Sequence, residues 1–357
     1  MKDFIYTGHA QRVLFGSGTL ARLGDEVDAL GAKRALLLCT PGQREEAQRA
    51  ADGLGPRCAS VFAGATMHVP IEVAREARIA AARLGADCAV AFGGGSTIGL
   101  GKAIALESGL PVIAVPTTYS GSEMTGIYGL TDAGVKRTGT DPRARPRTVI
   151  YDVELTHSLP LEMSVASGMN AIAHAAESLY ARDVNPIVAL MAEEGIRALG
   201  RALPFFGGAD PAQAQGGRTD AFYGAWLCGT VLGSVGMSLH HKLCHTLGGS
   251  FNLPHAQTHS IVLPHALAYN AEAAPEAMSR IAAALGGENA AQCVYDLARG
   301  AGSLLALKDV GLRESDLDRA CELALRTPYP NPRRLEASAI RQLLQDAYEG
   351  VRPSVNA

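Results

Sequence analysis

Seven of the ten histidines of this 357-residue chain fall between His174 and His265, most of them in the run SLHHKLCHTLGGSFNLPHAQTHSIVLP that starts at Ser238. Imidazole titrates near neutrality and ligates metals, so this concentration points to a proton-transfer or metal site. Upstream, in Gly168-Met169-Asn170-Ala171-Ile172-Ala173-His174, Asn170 and His174 stand four apart, as do His241 and His245. On helices each pair shares one face. With His255 after Pro254, two such helices would form a convergent polar site. The plainer alternative, imidazoles that only satisfy buried backbone groups, stays open for His240, His259 and His265.

A second chemical signal is Gly93-Gly94-Gly95-Ser96-Thr97, set between an apolar run and a helical pattern. Glycines let the backbone approach a ligand, and the amides and dipole of a helix start favour phosphate oxygens. The spacing to Lys102 excludes a Walker-type loop, and no Gly-x-Gly-x-x-Gly follows the first strand-like run. A hydroxyl-rich segment, Pro116-Thr117-Thr118-Tyr119-Ser120-Gly121-Ser122-Glu123-Met124-Thr125, follows the next apolar run. Beside the glycines at the carboxyl edge of a parallel sheet, it suggests a dinucleotide's pyrophosphate and ribose.

The elements that must hold these groups change character along the chain. Up to residue 155, apolar runs at Ala35–Cys39, Val61–Phe62, Cys88–Phe92, Val112–Val115 and Thr148–Tyr151 alternate with helical patterns, Glu72–Leu84 and Ile98–Glu107 among them. Such alternation predicts a Rossmann-like parallel sheet covered on both faces. From 156 to 357 an all-helical domain is expected, with helices over Leu161–Ala181, Pro186–Ala202, Thr219–Leu247, Pro275–Leu285, Ala290–Leu305, Glu314–Leu325 and Arg334–Tyr348. The uncharged stretch Ala221–Leu239 is rich in glycine and runs into His240-His241-Lys242, so it reads as a buried helix and not a membrane span.

Composition narrows the function classes. Hydrophobic residues make up 47% and charged residues 19%, which fits a folded enzyme, and a net charge of −3 gives no general attraction to nucleic acid or membrane. Seven cysteines without metal-type spacing, and an N-terminus without a signal-peptide core, read as a reduced cytoplasmic protein.

Taken in order, the Gly-Gly-Gly-Ser loop, the Pro-Thr-Thr loop, Gly-Met-Asn-Ala-Ile-Ala-His and the His-x-x-x-His…Pro-His block resemble the iron-containing alcohol dehydrogenase family over most of its length. Within it the likeness is closest to the members that reduce maleylacetate, carried by Gly93–Leu106, Pro116–Thr125, Gly134–Asp141 and Thr148–Thr156. The resemblance implies the dehydroquinate synthase-like fold, a homodimer, and NADH- or NADPH-dependent reduction of the enone double bond of a small dicarboxylate to 3-oxoadipate. It implies cofactor contacts at Thr40, Gly93, Gly94, Gly95, Ser96, Thr97, Thr117, Thr118, Ser122, Thr125 and Leu155. Where the family often has Asp, Thr40 is neutral, so NADPH should not be excluded.

The family's metal ligands map to Asn170, His174, His241 and His255. An amide replaces the carboxylate, and hard divalent cations favour anionic oxygen, so a metal is not expected to be required. Three imidazoles can still hold zinc or iron. Without a metal, the enolate oxyanion needs other donors: His241 and His245 as donor and general acid, with His174 and His255 lining the pocket. Lys136, or else Arg137, would hold a substrate carboxylate or contact the cofactor. Rival readings are a metal-dependent dehydrogenase of a small alcohol or aldehyde, a lyase of the dehydroquinate-synthase type, and a nucleotide sensor.

Overall fold

The apolar runs of the N-terminal half pair as strands β1 (Arg12–Phe15), β2 (Ala35–Leu38), β3 (Cys58–Phe62), β4 (Cys88–Gly93), β5 (Val112–Pro116) and β8 (Thr148–Tyr151), all parallel, in the order β1-β8-β5-β4-β2-β3. In this computed structural model the described residues are 3–132, 135–208 and 210–354, with the side chains of 135, 136 and 211 outside the description. The chain divides into two units, Gly8–Leu159 and Pro160 onward, the latter including the residues up to Thr7.

Every residue of β2, β4, β5 and β8 is buried, the pattern of strands covered on both faces. Helices α1 (Leu23–Ala29) and α2 (Arg44–Leu54) pack Leu23, Val27, Ala47 and Leu54 against Leu37, Val90 and Ile113 of the sheet. Helices α3 (Ile71–Leu84) and α4 (Gly95–Ser108) follow β3 and β4. After β2 the chain adds β3 on one side and then returns to place β4 on the other. The sheet therefore has its switch point between β2 and β4, with Thr40 and the triple glycine at the carboxyl ends of those strands. Two features escaped the sequence reading. Edge strand β1 has only four residues with mixed exposure, and strands β6 (Ile127–Asp132) and β7 (Val135–Thr140) form a separate antiparallel hairpin.

The described residues of the second unit form helices α5 (Leu161–Ser178), α6 (Pro186–Ala202), α7 (Pro211–Leu232), α8 (Leu239–Phe251), α9 (His255–Asn270), α10 (Pro275–Ala284), α11 (Ala290–Gly300), α12 (Leu317–Leu325) and α13 (Ala337–Glu349). One core joins Leu243 and Leu247 of α8, Ile261 of α9, Leu317 of α12 and Leu344 of α13. Helices α6 and α7 meet through glycines: a Cβ at Gly224 would lie 2.8 Å from Leu199 Cγ and 2.9 Å from the Gly195 carbonyl oxygen. That contact explains the uncharged glycine-rich stretch. Among the described residues no helix is long and apolar enough to cross a membrane.

The single helix expected over 219–247 is two. Helix α7 stops at Leu232 and α8 starts at Leu239, because side chains replace continued helix bonding at the break. Asp183 accepts the Gly236 N–H, and the Glu177 carboxylate accepts the N–H groups of His240 and His241. Helix α9 was not foreseen. Thr258–Leu267 are all buried and Pro264 lies inside, so no amphipathic period marks it.

Candidate active site

Helix α5 places Asn170, His174 and Glu177 on successive turns of one face, and all three are buried. Helix α8 contributes His240, His241 and His245, and α9 contributes His255 and His259. The rings form one group: centroids lie 5.2 Å apart for His174–His241, 5.0 Å for His241–His259, 4.9 Å for His240–His259 and 4.2 Å for His255–His259.

Within this group Glu177 is the anchor. Its Oε1 accepts the His240 amide at 2.8 Å, and its Oε2 lies 2.6 Å from His241 Nδ1. Nε2 of His240 lies 3.0 Å from the carbonyl of His259 and so carries the hydrogen, which leaves its Nδ1 as an acceptor 3.3 Å from His241 Nδ1. Both neighbours of His241 Nδ1 therefore call for a hydrogen on that atom. The remaining nitrogen, His241 Nε2, is buried without a partner, as are His174 Nδ1, both ring nitrogens of His259 and Asn170 Oδ1. Buried polar atoms without partners are costly, and several converging in one place mark where a polar ligand belongs.

Burial holds His174, His241 and His259 well below the ordinary imidazole range, and charge repulsion among the rings adds to it. His240 falls to about 4, first from burial and then from His241. Burial pushes Glu177 up, opposed by His240 and by the backbone N–H groups of Ser238, His240 and His241. Burial thus favours the neutral form of His174, His240, His241 and His259 around Glu177.

His245 and His255 are exposed, with rings 6.0 Å and 4.2 Å from His241 and His259 respectively. Lys136 lies on β7 opposite Thr131, but its side chain is outside the described residues. Arg137 faces Asp132 at 3.6 Å. His240 and His259, whose roles the sequence leaves open, belong to the group, and so does Glu177, which no motif marks. The signal for Glu177 was present: 170, 174 and 177 continue a single helical face.

In the α/β unit, Gly93 ends β4 at φ +149, and a Cβ there would meet Thr97 Oγ1 at 2.6 Å and Gln43 Oε1 at 2.8 Å. Gly94 caps α4, whose first turn holds Gly95, Ser96 and Thr97; Thr97 is buried and its Oγ1 has no partner. The loops around the switch point are tied together: Thr40 Oγ1 donates to Gln43 Oε1 (3.2 Å), and Gln43 Nε2 donates to Thr117 Oγ1 (2.9 Å). Thr118 lies against Gly94. Ser122 and Thr125 accept from the Lys102 ammonium at 3.1 and 3.0 Å, with Ile127 O at 2.6 Å, so their hydroxyls are already engaged. Burial lowers Lys102 to about 7. Leu155 lines an open hollow of about 310 Å³ with Phe92, Ala50, Arg49 and Glu154.

Family models match both parts of the chain: iron-containing alcohol dehydrogenase over residues 10–153, and the C-terminal region of Fe-containing alcohol dehydrogenases over 164–348. The chain belongs to the iron-containing alcohol dehydrogenase family. Its fold is that of the family, a parallel-sheet unit followed by a helical one. Among relatives, a maleylacetate reductase of Burkholderia cepacia is 61% identical over 99% of this chain and 100% of its own. Crystal structures of maleylacetate reductases from Agrobacterium tumefaciens and Rhizobium sp. strain MTP-10005 are each 52% identical, with TM-scores of 0.95 and 0.94, covering 99% of this chain and 100% of theirs.

The family name implies iron. At Asn170, His174, His241 and His255 an ion would meet only neutral donors, and His255 is exposed where the other three are buried. The described residues also bring His240, His241 and His259 within 4.8 Å of one another. Yet His240 Nε2 is spent on a carbonyl and His241 Nδ1 on Glu177, which leaves that trio short of converging lone pairs.

Proposed function

We propose that this chain is a nicotinamide-dependent reductase of maleylacetate, delivering hydride to the carbon–carbon double bond and yielding 3-oxoadipate. The observation that carries the reading is the group of buried neutral imidazoles with unpartnered nitrogens, in which Asn170 stands where a carboxylate would otherwise anchor a cation. Full-length likeness to maleylacetate reductases supports it.

The reaction asks for three things. A dinucleotide must be held by its phosphates, which the start of α4 and the Gly93–Gly95 backbone are suited to do. Hydride then adds to the carbon beta to the ketone, and the electrons of the double bond move onto the ketone oxygen as an enolate. Finally, a donor must stabilise that oxygen and a proton must reach the alpha carbon. Imidazole hydrogens serve both purposes, and one fixed donor at such an oxygen is worth about 3–4 kcal/mol.

These residues do not fit a resident divalent cation, since Asn170, His174, His241 and His255 offer an amide and imidazoles but no anionic side chain, and no step here runs through one. Thr40 beside the switch point carries no charge to repel a 2′-phosphate, so both NADH and NADPH serve. The seven cysteines are free thiols, consistent with a reducing cytoplasmic setting, and the working form is a homodimer.

The test is spectrophotometric. Protein dialysed against chelator, with metal content measured, should oxidise NADH on addition of maleylacetate at the rate of the untreated protein. Activity that vanishes with the chelator and returns with iron or zinc would instead favour the alcohol dehydrogenase reading.

A further inference from the structure

Glu177 is fully buried, and part of its bonding is structural, because it caps the N-terminus of α8 through the amides of His240 and His241. Capping alone does not account for its second oxygen, which is given to His241 Nδ1 at 2.6 Å. Two atoms fix that ring: the Glu177 carboxylate, and the Nδ1 lone pair of His240, which is itself set by the His259 carbonyl. The nitrogen left over, His241 Nε2, is buried among His174 and His259 without a partner.

We infer that Glu177 is a positioning residue for the reduction. It locks His241 with its Nδ1 hydrogen on the carboxylate and its Nε2 lone pair facing the unpartnered atoms, so that Nε2 is the atom through which a proton reaches the substrate. The inference rests on the enone-reductase reading.

The step balances as follows. NADH gives up a hydride, two electrons and one hydrogen, and becomes NAD⁺. The new C–H bond forms at the beta carbon, and the double-bond pair becomes the enolate. A proton from solvent reaches Nε2 and passes on to the enolate's alpha carbon, so the ring begins and ends as the neutral Nδ1–H imidazole and is charged only in transit. Throughout, Nδ1–H stays on Glu177, whose negative charge makes the charged ring tolerable in a buried site.

The groups that face the pair are His174 on α5, Tyr180 in the turn after it, His240, Cys244 and His245 on α8, His259 on α9, and Tyr329. None of them is an anion at neutral pH, so Glu177 is the carboxylate that supports the ring.

Glu177→Gln separates capping from positioning. A glutamine oxygen still accepts the α8 amides, but its NH₂ faces His241 Nδ1. The ring is then a neutral Nε2–H tautomer, which cannot give up that proton without becoming an imidazolate. The variant should lose at least about a hundredfold in kcat, while the KM for maleylacetate and the Kd for NADH stay within about threefold. Adding His241→Ala to it should cost little more, since the two residues act as one unit. An unchanged kcat, or losses that multiply, would overturn the inference.

A second measurement needs no variant of Glu177. In ¹⁵N-histidine-labelled protein, one strongly downfield, exchange-protected Nδ1 proton should be present and should vanish in His241→Ala; its absence would equally overturn the inference. Failure of the wild-type chain to oxidise NADH with maleylacetate would instead count against the enone-reductase reading, so the two failures are distinct.

Discussion

Replacing Gly93 by alanine probes the dinucleotide loop directly. The residue sits at φ +149, and an added Cβ would stand 2.6 Å from Thr97 Oγ1 and 2.8 Å from Gln43 Oε1. Backbone strain of this kind costs about 1–3 kcal/mol, and forcing a methyl into a packed site costs about 1–3 kcal/mol more. Without cofactor, the loop relieves part of this by drawing Gln43 away from Thr117. Binding a dinucleotide against the loop restores the strain, so the cost appears in affinity. If about 2 kcal/mol is restored, NADH binding weakens roughly 30-fold, each 1.4 kcal/mol being tenfold. The assay is fluorescence titration of NADH against wild type, Gly93→Ala and Gly109→Ala. Gly109 also has a positive φ, at +70, but nothing lies within 4 Å of its Cβ position, so its variant should lose stability and keep its NADH affinity. Equal NADH affinities for all three proteins would refute the assignment of this loop to the cofactor.

Other consequences concern stability and cofactor choice. Gly224→Ala should destabilise the helical unit by about 1–3 kcal/mol in urea unfolding, because the clash is with the Gly195 backbone. On the same helix, Gly216→Ala, which meets nothing within 4 Å, should be neutral or stabilising. Burial lowers His265 to about 4 from its ordinary 6.5, so the unfolded chain binds more protons between those values. Its contribution is complete above pH 6.5 and lost as pH falls towards 4, on the order of 3 kcal/mol. His265→Leu should therefore show a smaller drop in unfolding free energy between pH 7 and 4.5 than wild type. With Thr40 uncharged, kcat/KM with NADPH should exceed about a thousandth of that with NADH.

Much of this architecture was legible because its strands are buried on both faces: Ala35–Leu38, Cys88–Gly93 and Val112–Pro116 are uninterrupted apolar runs between glycine- and proline-bearing turns. The same physics concealed α9, since a helix buried all round has no polar face to set a period. The break between α7 and α8 was hidden for another reason. Asp183 and Glu177, each more than fifty residues away, supply the bonds that end one helix and start the next. In the site, spacing found Asn170, His174 and His241, which share buried helix faces. His245 and His255 join the same group of rings but are exposed, because periodicity groups residues by face without saying which turn of that face reaches solvent. It missed His259, whose α9 was not foreseen, and Glu177, whose partner lies on another helix.

The destination of the hydride tests the central claim most directly. With deuteride carried on the transferring position of NADH, 3-oxoadipate formed by this protein should hold one deuterium, at the carbon beta to the ketone, as read by NMR and mass spectrometry. Deuterium at a carbinol carbon, from hydride delivered to the carbonyl, would contradict the account.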